Sequence, residues 1–142
     1  MILVSIASES SILSQLISIH GERVQVASVI VNETINLPGD AEECIKRLKS
    51  HNLPEDNSFA FMLACVGRGE GLYEQSNIES ALFRKYFPKT PLIGLFGNGE
   101  IGYDHVNKGS PSQEVEPDCK KKKSDVKLYH SFTTVFVLVS IT

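Results

Sequence analysis

The sequence predicts an α+β domain in which a layered, largely antiparallel β-sheet packs against two main helices. β-Branched residues dominate residues 24–31 and the end of the chain, which favours strands there. Two segments between these runs space their apolar residues as amphipathic helices do. Turn-forming residues separate the segments, and the resulting order of strands and helices is typical of a layered α+β domain.

Length and composition narrow the class of protein. The 142 residues are 42% hydrophobic and 22% charged, which indicates one soluble globular unit. The net charge of −3 offers no basic field for nucleic acid. The apolar start, MILVSIAS, is too short to span a bilayer and lacks the basic region of a signal peptide, so we expect no membrane partner.

Three cysteines, Cys44, Cys65 and Cys119, show no CxxC spacing. An odd number at irregular positions favours reduced thiols over a disulfide framework or a zinc site. We therefore expect no metal and no cofactor, and a cytoplasmic and/or nuclear location. We expect residues 1–20 to form an N-terminal segment, for which the sequence does not decide between strand and helix. Residues 21–142 are expected to form the α+β domain.

The first half of the chain predicts a β-hairpin and a helix. Residues 16–33 read as two strands around the turn HGER. Residues 37–52 have helical spacing, and Asp40 with Glu43 resembles a capping box. The buried face of this helix is predicted to hold Ala41, Cys44, Ile45 and Leu48.

The middle of the chain predicts a buried strand followed by a second helix. Residues 59–66 form a continuous apolar run, typical of a central strand buried on both faces. Residues 67–73 read as a glycine-rich loop. In the helix predicted at 76–87, Ser76 and Glu79 have capping-box spacing, and Pro88 ends it.

Strands are predicted at residues 91–96 and 100–106, followed by a flexible loop at 106–127 and a final strand at 129–142. The loop holds four consecutive lysines at 120–123. Such a run is typical of a solvated loop, with a nuclear localisation signal or a weak phosphate-binding patch as the alternatives.

Gly97, Gly99 and Gly102 spell GxGxxG within GLFGNGEIG. A dinucleotide site needs a helix directly after these glycines, and YDHVNKGSPSQ is poor helix material. Asn98-Gly99 instead fits the centre of a two-residue type I′ turn. The sequence therefore predicts a hairpin that pairs residues 91–97 with 100–106.

Arg68 is the first candidate binding residue, because flanking glycines let a ligand approach and its guanidinium suits a carboxylate or phosphate. Glu100 is either a surface carboxylate beside the hairpin or the partner of Arg68. His130 at a strand start is either structural or functional. Cys65 with His130 could form a nucleophile–base pair, although the apolar run before Cys65 favours an inert buried thiol.

Three stretches resemble the C-terminal FIST domain of F-box proteins: ACVGRGEGLY, NIESALFRKYFPKTPLIGLFGNGEIGYD and LYHSFTT. In bacterial sensors, FIST domains are thought to bind small ligands such as amino acids. The resemblance assigns pattern positions to Cys65, Arg68, Glu79, Gly94, Gly99, Glu100 and His130. Candidate ligand- or partner-binding residues are therefore Cys65, Arg68, Asn98, Glu100 and His130.

The resemblance implies a non-catalytic binding module that recognises protein substrates of an SCF cullin–RING ubiquitin ligase and so promotes their degradation. We expect docking on the SCF adaptor only through an F-box, and find no F-box-like helix before residue 21. The alternative is a free-standing FIST domain that binds a small ligand; an enzyme using Cys65 ranks third. For a binding role, alanine at Arg68 or Glu100 is expected to weaken partner binding without unfolding the domain.

Overall fold

A computed structural model describes residues 18–107 and 127–142, and the cysteine at 119 and the lysine run at 120–123 lie outside these ranges. Its elements are β1 Val24–Val31, α1 Pro38–Ser50, β2 Ser58–Cys65, a 3₁₀ turn Val66–Arg68, α2 Glu70–Tyr73, α3 Ile78–Tyr86, β3 Leu92–Gly97, β4 Glu100–Ile101, β5 His105–Asn107, β6 Tyr129–His130 and β7 Thr134–Ile141. The predicted α+β class is confirmed.

Five strands form one sheet in the order β3-β2-β7-β1-β5. Every neighbouring pair is antiparallel except β2 and β3, which are parallel because α3 crosses over between them. The central strand is β7, and seven of its eight residues are buried. The predicted strand at 59–66 is observed as β2 between two neighbours, but it is buried at alternate positions and only half-buried on its second face.

The helices α1 and α3 pack on one face of the sheet. The buried residues of α1 are the four predicted from the spacing, Ala41, Cys44, Ile45 and Leu48. Phe83 of α3 stacks on Phe87 and on Phe136 of β7, with ring centroids 4.7 and 5.7 Å apart. These three rings are at most 1% exposed and form the centre of the core.

Both predicted capping boxes are wrong. The first helix lies within the predicted range, but its N-cap is Leu37 instead of Asp40, Pro38 lies in its first turn, and no side chain caps it. Proline suits this position because its fixed φ is helical and its missing N–H would be unpaired there. Asp40 consequently lies inside the first turn, where its charge favours the helix dipole.

The second helix begins after Asn77, whose φ is +62° and whose side chain makes no capping hydrogen bond. Ser76 donates instead to Glu70, over 3.1 Å. Glu79 points into the protein interior, as described below. The predicted glycine-rich loop at 67–73 is largely helical, since it contains the end of the 3₁₀ turn and α2.

The predicted hairpin around Asn98-Gly99 is also wrong. Strand β3 pairs with β2, whereas β4 pairs with β6, aligning Glu100 with His130. Gly99 has a φ of +103°, but Asn98 does not have the positive φ that a type I′ turn requires. The chain therefore leaves the sheet at this turn instead of folding back along β3.

The hairpin predicted around HGER is not observed either. The neighbours of β1 are β5 and β7, and residues 18–20 are not in a strand. The rest of the predicted first strand lies outside the described residues. The second strand, β1, is confirmed at the predicted place.

Gly102 is required where the chain passes over β7. A Cβ at this position would lie 2.7 Å from Cγ1 of Val135. We expect Gly102→Ala to lower the free energy of unfolding by about 1–3 kcal/mol, since buried overpacking displaces its neighbours. Urea denaturation measures this change. Gly71→Ala is the control, because a Cβ there meets nothing within 4 Å; equal stability of the two variants would contradict the close approach.

Candidate functional site

Arg68 lies at the end of the 3₁₀ turn after β2, and its side chain is only 1% exposed. Its guanidinium forms an ion pair with Glu79, with Nη2 2.7 Å from Oε1. Its hydrogen bonds go to Glu79, Tyr73 and the carbonyls of Asn32, Ile35 and Phe132, at 2.8 to 3.2 Å. These partners account for all five N–H groups, so Arg68 binds its own chain and has no free donor for a ligand.

Glu79 is the buried counterpart of Arg68, with a side chain 4% exposed. Its Oε1 also accepts a hydrogen bond from the Tyr73 hydroxyl at 2.7 Å, and its Oε2 accepts one from Thr134. Burial, and then the hydrogen bond to the Glu79 carboxylate, raise the pKa of Tyr73. Glu79 falls four residues before Phe83, so its position on the buried face of α3 was readable from the sequence.

Glu100 is buried as well, so it is not a surface carboxylate. Its Oε2 accepts hydrogen bonds from the backbone N–H of Thr133 at 3.2 Å and from the hydroxyl of Thr133 at 2.8 Å. Its Oε1 has no partner among the described residues. The partner of Arg68 is therefore Glu79, and Glu100 binds a different segment.

His130 faces Glu100 in the β4–β6 pair, and its Nε2 donates to the carbonyl of Gly102 at 2.9 Å. Cys65 is buried, and its backbone N–H donates to the carbonyl of Thr133 at 2.9 Å. Within residues 18–107 and 127–142, no hydrogen bond joins Cys65 to His130. Asn98 is exposed on the turn between β3 and β4.

Residues 132–134 connect these predicted positions. Arg68 binds the Phe132 carbonyl, Glu100 binds Thr133, and Glu79 binds Thr134. The side chains of two successive residues therefore bind two different carboxylates, Thr133 binding Glu100 and Thr134 binding Glu79. The structure thus brings the predicted residues to one segment, but not into one open pocket.

Phe132 adopts the left-handed conformation, with φ +59°, and leaves its ring 63% exposed. For a bulky residue this backbone conformation is strained, typically by about 1–3 kcal/mol. The hydrogen bonds to its carbonyl and to Thr133 hold it there. The buried polar network therefore presents an aromatic ring to the surface.

A groove of about 440 Å³ lies between α3 and β3. Met62, Ile78, Ala81 and Leu92 give it apolar walls, Gly94 lies along it, and Arg84 contributes charge. Arg68 and Glu79 also contribute to its lining, but their polar atoms are already paired. Sequence reasoning missed this groove, since it depends on the angle between a helix and a strand.

The family model of the FIST C domain matches residues 15–103. The chain belongs to the FIST C family. The match includes the 3₁₀ turn, α3 and β4, which carry Arg68, Glu79 and Glu100. The resemblance found in the sequence is therefore confirmed.

Among curated proteins, this FIST C chain is 43% identical over 126 residues to F-box only protein 22 of Homo sapiens and 42% identical to that of Pongo abelii. It is 32% identical over 105 residues to an F-box/LRR-repeat protein of Arabidopsis thaliana. These alignments cover 88%, 88% and 72% of this chain. They cover only 30%, 30% and 18% of the relatives.

Two further observations concern the described part of the FIST C chain. No group of three or more His, Cys, Asp or Glu side chains there could hold a metal ion. No helix in residues 18–107 or 127–142 is long and apolar enough to cross a membrane.

Proposed function

We propose that this FIST C domain recognises protein substrates for an F-box-type, SCF cullin–RING ubiquitin ligase and so promotes their degradation. It acts by positioning a substrate, and partner proteins of the ligase catalyse the transfer of ubiquitin. Relatives named as F-box proteins support this role. The SCF adaptor would be reached through an F-box, and the reduced cysteines favour a cytoplasmic and/or nuclear location.

The observation that carries this proposal is an aromatic surface, defined as Val66, Phe96, Tyr129 and Phe132. Each of these side chains is more than half exposed. Three of them lie beside glycines: a Cβ at Gly67 would lie 2.9 Å from the Phe132 ring, one at Gly69 would meet Phe96 at 3.9 Å, and one at Gly99 would meet the Tyr129 hydroxyl. Exposed aromatic clusters of this kind mark protein-binding sites.

The segments that form the aromatic surface expose no charged side chain. The segments 66–69, 94–103 and 128–134 contain only Arg68 and Glu100 as charged residues, in a chain that is 22% charged. Both are buried. Depletion of charge together with enrichment in aromatic residues is the compositional signature of an interface centre.

Replacing a ring of the aromatic surface should reduce the recovery of partner proteins without unfolding the domain. We expect Phe132→Ala and Tyr129→Ala to lose proteins that co-purify with the wild-type chain when the proteasome is inhibited. Each ring at an interface centre contributes about 2 kcal/mol or more, so recovery should fall at least about tenfold. Quantitative mass spectrometry of the purified material measures the loss.

Leu37→Ala is the matched control, since Leu37 is also exposed but lies at the start of α1. Thermal unfolding of each variant checks the fold. If Phe132→Ala, Tyr129→Ala and Leu37→Ala recover the same proteins in the same amounts, the aromatic surface is not the binding site.

A small-ligand role is the second candidate, favoured by the groove between α3 and β3, whose volume is typical of small-molecule sites. Arg68, which the sequence suggested for a ligand carboxylate or phosphate, has all its donors bound within the chain. Arg84 also lines the groove, and in the described part of the chain its guanidinium makes one hydrogen bond, from Nη1 to the carbonyl of Thr90, which leaves other N–H groups for a ligand.

Thermal shift against the amino acids tests this second candidate. A ligand at a hundred times its dissociation constant stabilises the folded state by about 2.7 kcal/mol. A flat response across all twenty amino acids would reject this class of ligand.

A further inference from the structure

We propose that the free edge of β3, with the groove beside it, binds an extended acidic peptide segment of a protein partner as an added β-strand. This inference rests on the proposed function, because it names the chemistry of the partner that the domain would recognise.

One edge of β3 is bonded to β2, and its other edge has no strand partner within residues 18–107 and 127–142. In the described residues β3 pairs only with β2, and Ala60 N–H donates to the Pro91 carbonyl at 2.8 Å. In a parallel ladder alternate residues offer both backbone groups to the same neighbour. Residues 91, 93, 95 and 97 therefore face β2, whereas the N–H and C=O groups of Leu92, Gly94 and Phe96 point outward.

The outer edge of β3 lacks charged side chains and other features that prevent an edge strand from pairing with another chain. Soluble proteins commonly protect an edge with charged side chains, a bulge or a very short strand. Residues 90–99 include no charged residue, and β3 pairs with β2 over six successive residues. At the opposite edge of the sheet, β5 has only three residues. A regular row of unpaired amides is complementary to another strand.

The groove provides room for the side chains of such a strand. Leu92, Gly94 and Phe96 line it from the sheet side, and α3 lines it from the other. A Cβ at Gly94 would meet nothing within 4 Å, so the space above the middle of β3 is open. Every second side chain of an added strand would enter this groove, where Met62 and Ile78 favour apolar residues.

Arg84 favours a bound peptide segment that carries a negative charge. It is exposed on α3, lines the groove and donates one hydrogen bond to a backbone carbonyl, with no ion pair in the described residues. Its remaining donors suit an Asp or Glu of the bound segment. A second copy pairing through β3 would present residues 90–99, which contain no carboxylate. Charge therefore favours an acidic partner peptide over self-association.

Selection of random twelve-residue peptides by phage display on the purified chain, followed by fluorescence anisotropy of the enriched peptides, tests this inference. We expect enriched peptides to alternate apolar residues and to carry an Asp or Glu. Gly94→Pro should weaken their binding at least about tenfold, because it removes an outward N–H and blocks the edge. Gly94→Ala is the control that keeps the N–H.

The Gly94→Pro variant should remain folded, because the Gly94 N–H does not bond to β2; thermal unfolding checks this. Arg84→Glu should reverse the preference of a repeated selection from acidic to basic peptides. This second variant changes an exposed side chain and so does not depend on the edge variant folding.

Several results would overturn the inference: no enriched peptide, equal affinity for Gly94→Pro and Gly94→Ala, an unchanged acidic preference in Arg84→Glu, or a β3-dependent dimer on size exclusion. Peptides whose binding is lost with Phe132→Ala but kept with Gly94→Pro would reject the edge while leaving the proposed function intact. The proposed function is tested by a separate measurement, the recovery of partner proteins with the Phe132→Ala variant.

Discussion

Arg68→Met is expected to lower the free energy of unfolding by about 3–5 kcal/mol, since it leaves the buried Glu79 carboxylate without its counter-charge. The variant also leaves the carbonyls of Asn32, Ile35 and Phe132 without their donor. Urea denaturation monitored by circular dichroism measures the change. This result would replace the sequence-based expectation that alanine at Arg68 leaves the fold intact.

Arg84→Met is the matched control, because it removes the same charge from an exposed position on α3. We expect it to cost less than about 1 kcal/mol. The double variant Arg68→Met with Glu79→Leu should recover part of the stability lost in Arg68→Met, since no uncompensated charge stays buried. If Arg68→Met were as stable as Arg84→Met, the buried network would not hold the segment 132–134.

Phe136→Ala is expected to lower the free energy of unfolding by about 3–5 kcal/mol, as large core truncations do when the cavity cannot collapse. Phe136 is fully buried at the middle of β7, between Val29 of β1 and Met62 of β2, and its ring stacks on Phe83. Backbone pairing on both sides keeps the strands from closing the cavity. Thermal and urea denaturation measure the loss.

Phe96→Ala is the control for this prediction, since it removes the same atoms from a ring that is half exposed. We expect a cost below about 1 kcal/mol there. Equal losses at the two positions would contradict the placement of the core between α1, α3 and β7.

The sequence was sufficient for the features that depend on local pattern. The spacing of Ala41, Cys44, Ile45 and Leu48 predicted the buried face of α1, and the β-branched run at the end of the chain predicted β7. Both follow from the periodicity of apolar residues, which burial in a single core imposes. The FIST C resemblance was likewise readable, because it is carried by long local motifs.

The errors arose where residues far apart in sequence decide the structure. Glu79 has capping-box spacing with Ser76, yet it pairs with Arg68 and Thr134. Asn98-Gly99 favours a hairpin locally, yet β4 pairs with a segment beyond residue 126. Local propensities differ by little free energy, so long-range strand pairing and the cost of leaving a buried charge unpaired outweigh them.

The proposal that the aromatic surface selects proteins for degradation is tested by the half-lives of the proteins recovered with the wild-type chain. Cells whose own protein carries Phe132→Ala or Leu37→Ala would be compared with unaltered cells after translation is stopped. We expect longer half-lives in Phe132→Ala cells and unchanged half-lives in Leu37→Ala cells. Unchanged half-lives in Phe132→Ala cells would contradict the proposed role of the aromatic surface.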